Sequence, residues 1–253
     1  MKKILAFLMV AVLLCTMLVS CDEDAQALLE SADSALLENP YKLTVKMNME
    51  CDDEEINEYL SMMNIEIPMT VDGNNLAMDM DMSVMEQTIS ADVVVYDGVM
   101  YYDMAVAGQT VKMKCNMTEE EYKKFIDQSN VSMPVDPANF AELTIEEKDG
   151  KKYIACGAIT DAGLAELNDM MKESLSSVSE EISFKDISYG ITLNDGKYDS
   201  VDMSTTYTMK IEGQTYTVSV KMVMTFSYEN VAKITAPQNT DDYQSVSYGD
   251  LMG

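Results

Sequence analysis

Residues 201–228 read VDMSTTYTMKIEGQTYTVSVKMVMTFSY, and this stretch decides the fold. Val201, Met203, Thr205, Tyr207, Met209 and Ile211 occupy alternate positions. After Glu212-Gly213 the alternation resumes with Tyr216, Val218, Val220, Met222, Met224, Phe226 and Tyr228. Thr217, Ser219, Lys221, Thr225 and Ser227 fill the positions between. A period of two places one set of side chains on a buried face and the other on a wet face of a β-strand. Both runs are longer than the usual strand of about five or six residues. A long antiparallel hairpin with one apolar face must cover that face, by curling over or by packing helices on it.

The same period recurs upstream. Leu43, Val45, Met47 and Met49 alternate with polar neighbours. Residues 67–117 form a meander through Leu76, Met78, Met80 and Met82, then Ile89, Ala91, Val93 and Val95, then Met100, Tyr102, Met104 and Val106. It closes on Val111, Met113, Cys115 and Met117. Asp72-Gly73, Asp97-Gly98 and Gly108-Gln109 between these runs have the chemistry of tight hairpin turns, as does Asp149-Gly150 later. Helical spacing marks four further stretches. Ala25, Leu28, Leu29, Ala32, Ala35 and Leu36 share one face until Asn39-Pro40 stops them, and a short acidic segment carries Ile56, Tyr59, Leu60 and Met63. From Thr118 a helix runs to Gln128. Thr118 and Glu121 form a capping box, and three glutamates sit at the positive end of the helix dipole. After a loop with Pro134 and Pro137, residues 161–178 align Leu164, Leu167, Met171, Leu175 and Val178. The pattern predicts an α+β fold: a large curved antiparallel sheet of about ten or eleven strands, an open half-barrel covered by a few helices. No linker divides residues 21–253, which are expected to form one domain, and the polar residues 240–253 are expected to be a flexible tail.

The N-terminus has a separate job. Lys2 and Lys3 precede an apolar run over residues 4–14, which is long enough for a secretory signal and too short to span a bilayer. Leu18-Val19-Ser20-Cys21 follows and resembles the lipobox of bacterial lipoproteins, with Asp22, Glu23 and Asp24 directly after it. The resemblance implies removal of residues 1–20, a diacylglyceryl group on the Cys21 thiol, and an extracytoplasmic protein. Such a protein is lipid-anchored to the membrane, at the cell surface or on the periplasmic face. At roughly 0.8 kcal/mol per buried methylene, one acyl chain holds a protein marginally and two hold it stably.

Composition removes several function classes. The chain carries a net charge of −27, with 44 acidic side chains against 17 basic ones, and contains no histidine, arginine or tryptophan. A surface of that sign repels nucleic acid. Without histidine, serine–histidine and cysteine–histidine nucleophile systems cannot be assembled, and the commonest transition-metal ligand is missing. Carboxylate pairs remain, but sugar hydrolysis usually adds aromatic platforms. No enzymatic activity and no cofactor are expected. The acidic runs at 52–55, 119–121 and 241–242 lack the spaced oxygen ligands of a calcium loop, so no metal is expected there. Of five cysteines, Cys15 leaves with the signal and Cys21 is committed to lipid. Cys51, Cys115 and Cys156 then either form one disulfide, with Cys51–Cys115 preferred because both fall on the apolar side of their strands, or stay as buried thiols.

Taken together, lipobox, N-terminal helix, long meander, interposed helices and final long hairpin resemble the lipoprotein carriers of the LolA/LolB type and the LppX/LprG-type lipoproteins. The most family-like stretch is the exit from the last strand, Tyr228-Glu229-Asn230 through Ile234-Thr235-Ala236-Pro237 to Asp242-Tyr243. That resemblance implies an acyl chain or glycolipid held between sheet and helices. The arginine that helps set the carrier mechanism in LolA-type proteins has no counterpart here. Twenty-four methionines bear on the same question. Met47, Met49, Met78, Met80, Met82, Met113, Met222 and Met224 are candidates to line such a cavity, since thioethers are flexible and polarizable. Ordinary core packing and chelation of a soft ion such as Cu(I) are the competing readings. The function expected is a membrane-tethered lipoprotein that binds or carries a lipid or amphiphile. The alternative is an envelope scaffold with a filled core, whose acidic surface docks a cationic protein partner. Mass spectrometry of the protein extracted from membranes is expected to show residues 1–20 removed and a diacylglyceryl mass on Cys21; an unprocessed N-terminus or an unmodified Cys21 thiol sinks the anchor assignment.

Overall fold

The computed structural model describes residues 23–62, 65–84, 87–106, 108–129, 139–174 and 181–248. The signal stretch, Cys21, the loop with Pro134 and Pro137, and the last residues of the helix expected to end at 178 lie outside them. Four α-helices occur among the described residues: α1 (Glu23–Glu38), α2 (Glu54–Met62), α3 (Glu119–Ser129) and α4 (Asp161–Ser174). The strands are β1 (Tyr41–Cys51), β2 (Ile65–Asp72), β3 (Asn75–Val84), β4 (Gln87–Tyr96), β5 (Val99–Val106) and β6 (Gln109–Asn116). They continue with β7 (Leu143–Lys148), β8 (Lys151–Cys156), β9 (Glu181–Asn194), β10 (Lys197–Ile211), β11 (Gln214–Ser227) and β12 (Gln244–Ser245). All twelve belong to one open sheet in the order β12-β6-β5-β4-β3-β2-β1-β11-β10-β9-β8-β7. The expected α+β class with a large antiparallel sheet is what the chain adopts.

The strand count exceeds the expected ten or eleven, and β12 corrects the sequence reading of a flexible tail. Residues 240–248 are docked. Gln244 and Ser245 pair in parallel with Met113 and Lys114 of β6, and the Val246 N–H donates to the Lys114 carbonyl at 3.0 Å. Lys114 Nζ donates to the Thr240 carbonyl at 2.7 Å, and Tyr243 is buried. The polar composition of this segment hid its two roles: Tyr243 as an anchor, and backbone that covers the open edge of β6. At the other edge β7 is exposed and carries Glu146, Glu147 and Lys148, charges that discourage pairing with another chain.

Contacts group the chain into two compact units. The first comprises residues up to 35, 47–62 and 131–224; the second comprises 36–46, 63–130 and 225 onward. In the first unit, β9, β10 and β11 bury Ile191, Val201, Tyr207, Tyr216 and Val218 almost completely. Two bulges reconcile imperfect alternation with continuous pairing. Thr206 pairs with Asp186 while Tyr207 pairs with Phe184, leaving Lys185 as the extra residue of β9, and Asp199 is the extra residue of β10. The first bulge explains why β9 was not legible: Ile182 and Phe184 are out of phase with Ile187, Tyr189, Ile191 and Leu193. Helix α4 covers β9. Asn168 Oδ1 accepts from the Phe184 N–H at 2.6 Å, and its amide donates to the Leu164 carbonyl at 2.9 Å. Gly163 lets the helix start approach Asn139, whose Cβ would lie 2.5 Å from any added Cβ. The Tyr198 hydroxyl donates to Asp33 Oδ1 at 2.9 Å and so ties α1 to the start of β10.

In the second unit, β2 to β6 pair in sequence order. Their apolar face forms a cluster of Leu76, Val93, Val95, Met100 and Cys115, onto which Tyr122 and Phe125 of α3 pack. The capping box of α3 is formed as expected, with the Thr118 N–H donating to Glu121 Oε2 at 2.7 Å and the Glu121 N–H to Thr118 Oγ1 at 3.2 Å. Four hairpin turns hold two consecutive residues at positive φ, and Glu212-Gly213 between β10 and β11 is one of them (φ 53° and 78°). This is the type I′ geometry, in which asparagine is favoured at the first position. Glu212→Asn is expected to stabilise the protein by about 0.5–1 kcal/mol in urea unfolding, because a β-turn glutamate in the left-handed region is strained; a lower midpoint would contradict the turn assignment.

Candidate functional site

The strands that present the apolar cluster on one face present a different set on the other. Strand pairing sets Ala77 opposite Val94 and Val94 opposite Tyr101. One pair further along, Asp79 faces Asp92 and Asp92 faces Asp103, with Lys112 next to Asp103 on β6. Three carboxylates therefore stand side by side across β3, β4 and β5. Directly opposed like charges across strands are unfavourable unless compensated, and Lys112 compensates Asp103 with an ion pair.

These residues border a cavity of about 580 Å³, within the size range of small-molecule sites. β1 contributes Lys42 and Thr44, β2 contributes Pro68, Met69 and Thr70, and the segment after β11 contributes Pro237 and Tyr243. Tyr243 is only 6% exposed. Its ring meets Tyr101 edge-on, with centroids 5.4 Å apart and planes at 84°. Lys112 Nζ sits 5.0 Å from the Tyr243 ring centroid and 3.0 Å from Asp103 Oδ2. Asp103 Oδ1 is buried with no hydrogen-bond partner. Burial first, then a hydrogen bond to Asp103 and the charges of Asp103 and Asp92, push the Tyr243 phenol far above its ordinary value, so it stays a neutral donor to Asp103. The cavity thus combines carboxylates, two phenol rings and an apolar remainder.

A second cavity of about 440 Å³ lies in the first unit, bordered by Ser188, Ser204, Thr206, Ser219, Asp186 and Lys221. Its polar groups largely satisfy one another. Ser188 and Ser204 share a hydrogen bond of 2.7 Å, Thr206 and Ser219 one of 3.3 Å, and the Thr206 N–H donates to Asp186 Oδ1 at 2.8 Å.

The methionines expected to line a cavity divide. Met78 stands on β3 where that strand borders the larger one, but its side chain shares the face of Leu76 and packs against the Val95 cluster; Met47, Met49, Met80, Met113, Met222 and Met224 do not border that cavity. Met49, Met222 and Met224 are at most 2% exposed and belong to the core of the first unit. The side chain of Met82 lies outside the described residues, as does Cys21. The larger cavity is bordered by strands and by the segment around Pro237 and Tyr243, not by sheet and helix as expected. The reason is packing: α3 already fills the apolar face of these strands.

The expected Cys51–Cys115 disulfide is also corrected, since Cys51, Cys115 and Cys156 are all free thiols. Cys115 is enclosed by the cluster around Val95, whereas Cys51 ends β1 beside Asp52. Burial raises all three thiols, Cys156 to about 12, so they stay protonated and are poor nucleophiles at neutral pH.

Sequence reasoning missed Asp79, Asp92, Asp103, Tyr101 and Tyr243. The only signal was that aspartates recur on the wet side of three successive strands.

Residues 23–244 match the family of unknown function DUF6612. The chain belongs to that family. No curated protein matches it. The family's span takes in both units and ends one residue beyond Tyr243, so the segment that walls the cavity is part of the domain. Met222→Ala and Met224→Ala are each expected to cost about 2–5 kcal/mol of stability in urea unfolding, as buried core positions do; a loss well under 1 kcal/mol would place these thioethers against an empty space.

Proposed function

We propose that this chain is a membrane-tethered, non-enzymatic lipoprotein that binds or carries an amphiphile, with the larger cavity as its site. The observation that carries the reading is the mixed lining of that cavity. Val94, Pro68 and Pro237 offer apolar surface, while Asp79, Asp92, Asp103 and Tyr243 supply polar groups. Ligand sites of this size combine an apolar wall with a few polar groups that set orientation. Among the described residues no helix is long and apolar enough to cross a membrane, so in this reading the tether is lipid on Cys21. Protonated thiols and the lack of histidine support binding over catalysis.

The scaffold reading draws on a different observation, the closed packing of Met49, Met222 and Met224 in the first unit. There the acidic surface would dock a cationic envelope protein.

Native mass spectrometry on the full chain carrying Cys21→Ala, which cannot be lipidated, separates the two. A stoichiometric adduct that disappears on organic extraction is expected. A bare mass, unchanged after incubation with membrane lipids, would overturn the binding reading in favour of the scaffold.

A further inference from the structure

We infer that two copies of this chain pair edge to edge through β7, antiparallel about a twofold axis at Ile145, so that the sheet of one molecule continues into the other. The partner surface is the same strand of the second copy, and the inference does not depend on what the larger cavity binds.

Among the described residues β7 has a neighbouring strand on one side only, and Thr144 through Lys148 are all exposed. An apolar row crosses the first unit and runs off this edge. Val201 of β10 opposes Ile191 of β9, Ile191 opposes Ile154 of β8, and Ile154 opposes Ile145 of β7. The first three are at most 1% exposed, whereas Ile145 is 39% exposed. A second copy that sets its own Ile145 against this one continues the row and covers its open end.

Symmetry and charge select the register. A twofold axis between antiparallel copies of one strand stands perpendicular to the sheet and keeps each side chain on its own face, so one residue must oppose its own copy. Glu146 or Glu147 at that centre would set glutamate against glutamate, and Thr144 there would set Glu142 against Glu146 twice. Leu143 or Lys148 at the centre would leave half of β7 opposite residues outside the strand. Ile145 at the centre opposes no like charges: Thr144 meets Glu146, Leu143 meets the stem of Glu147, and Glu142 meets Lys148 at both ends. Glu142 is exposed and continues the line of β7, since its carbonyl accepts from the Gly157 N–H at 2.8 Å. The charges of this edge thus exclude most pairings and permit one. The strip is self-complementary, acidic at one end and basic at the other, as a contact between identical surfaces requires. A single strand pair covers less than a standard interface, so the dimer is weak and concentration-dependent.

The test is analytical ultracentrifugation of the full chain carrying Cys21→Ala, from about 10 μM to about 1 mM. A reversible monomer–dimer equilibrium is expected. Lys148→Glu sets glutamate against Glu142 at both ends of the pairing and should weaken the dimer by about tenfold or more. Adding Glu142→Lys exchanges the two charges and should restore the dimer, which a loss of folding would not allow. Ile145→Cys reads the register. With oxidised glutathione it should give a disulfide-linked dimer, because directly opposed Cα atoms lie about 4.5–5.5 Å apart. Glu147→Cys should not, since its copy stands four residues further along the partner strand, roughly 13 Å away. A chain that stays monomeric throughout this range overturns the inference. So does a dimer that Lys148→Glu leaves intact, because it is built on another surface. Crosslinking of Glu147→Cys in preference to Ile145→Cys overturns the register at Ile145.

Discussion

Register between neighbouring strands is the constraint on which this molecule depends. In β3, β4 and β5 one residue of slip would send Leu76, Val93 and Met100 to the wet face and Asp79, Asp92 and Asp103 into the cluster under α3. Burial of the apolar set and exposure of the acidic set are therefore one fact seen from two sides. The hairpin turn at Asp97-Gly98, with both residues at positive φ, holds that register. Asn75 Oδ1 adds a bond by accepting the Asp97 N–H at 3.1 Å.

Behind the acidic row, the opposite face of the same strands packs an apolar core. Val95 and Cys115 are fully buried there. α3 is tied down by its capping box and by the Tyr122 hydroxyl, which donates to the Asn74 carbonyl at 2.8 Å. The segment with Pro237 and Tyr243 then crosses the acidic face and ends as β12 on the edge of β6.

The first unit has another character. Its long strands β9, β10 and β11 bury tyrosines and methionines on one side, and two bulges keep the pairing continuous where a residue is inserted. Cross-strand serine and threonine pairs occupy the wet side. Its smaller cavity presents groups bonded to one another, whereas the larger cavity of the second unit presents the aspartates of three neighbouring strands. The larger cavity thus lies wholly within the second unit.

Much of the secondary structure is legible in the sequence because its causes are local. Apolar spacing of two produces the strands, Asp-Gly and Glu-Gly the tight turns, and Thr118 with Glu121 the start of α3. The β9 strand was not legible, since its bulge at Lys185 shifts the phase of the apolar residues midway. The docking of residues 240–248 was not legible either, because it needs an unpaired edge that belongs to β6, far away in the chain. The same holds for the site. Alternation alone places Met49, Met78 and Met222 on apolar faces, yet only packing decides that Met222 is enclosed and that Met78 is only partly buried against the Val95 cluster. Asp79, Asp92 and Asp103 each read as an ordinary wet-face residue. Their adjacency arises when three strands pair, and charge repulsion acts through space between residues that the chain keeps apart.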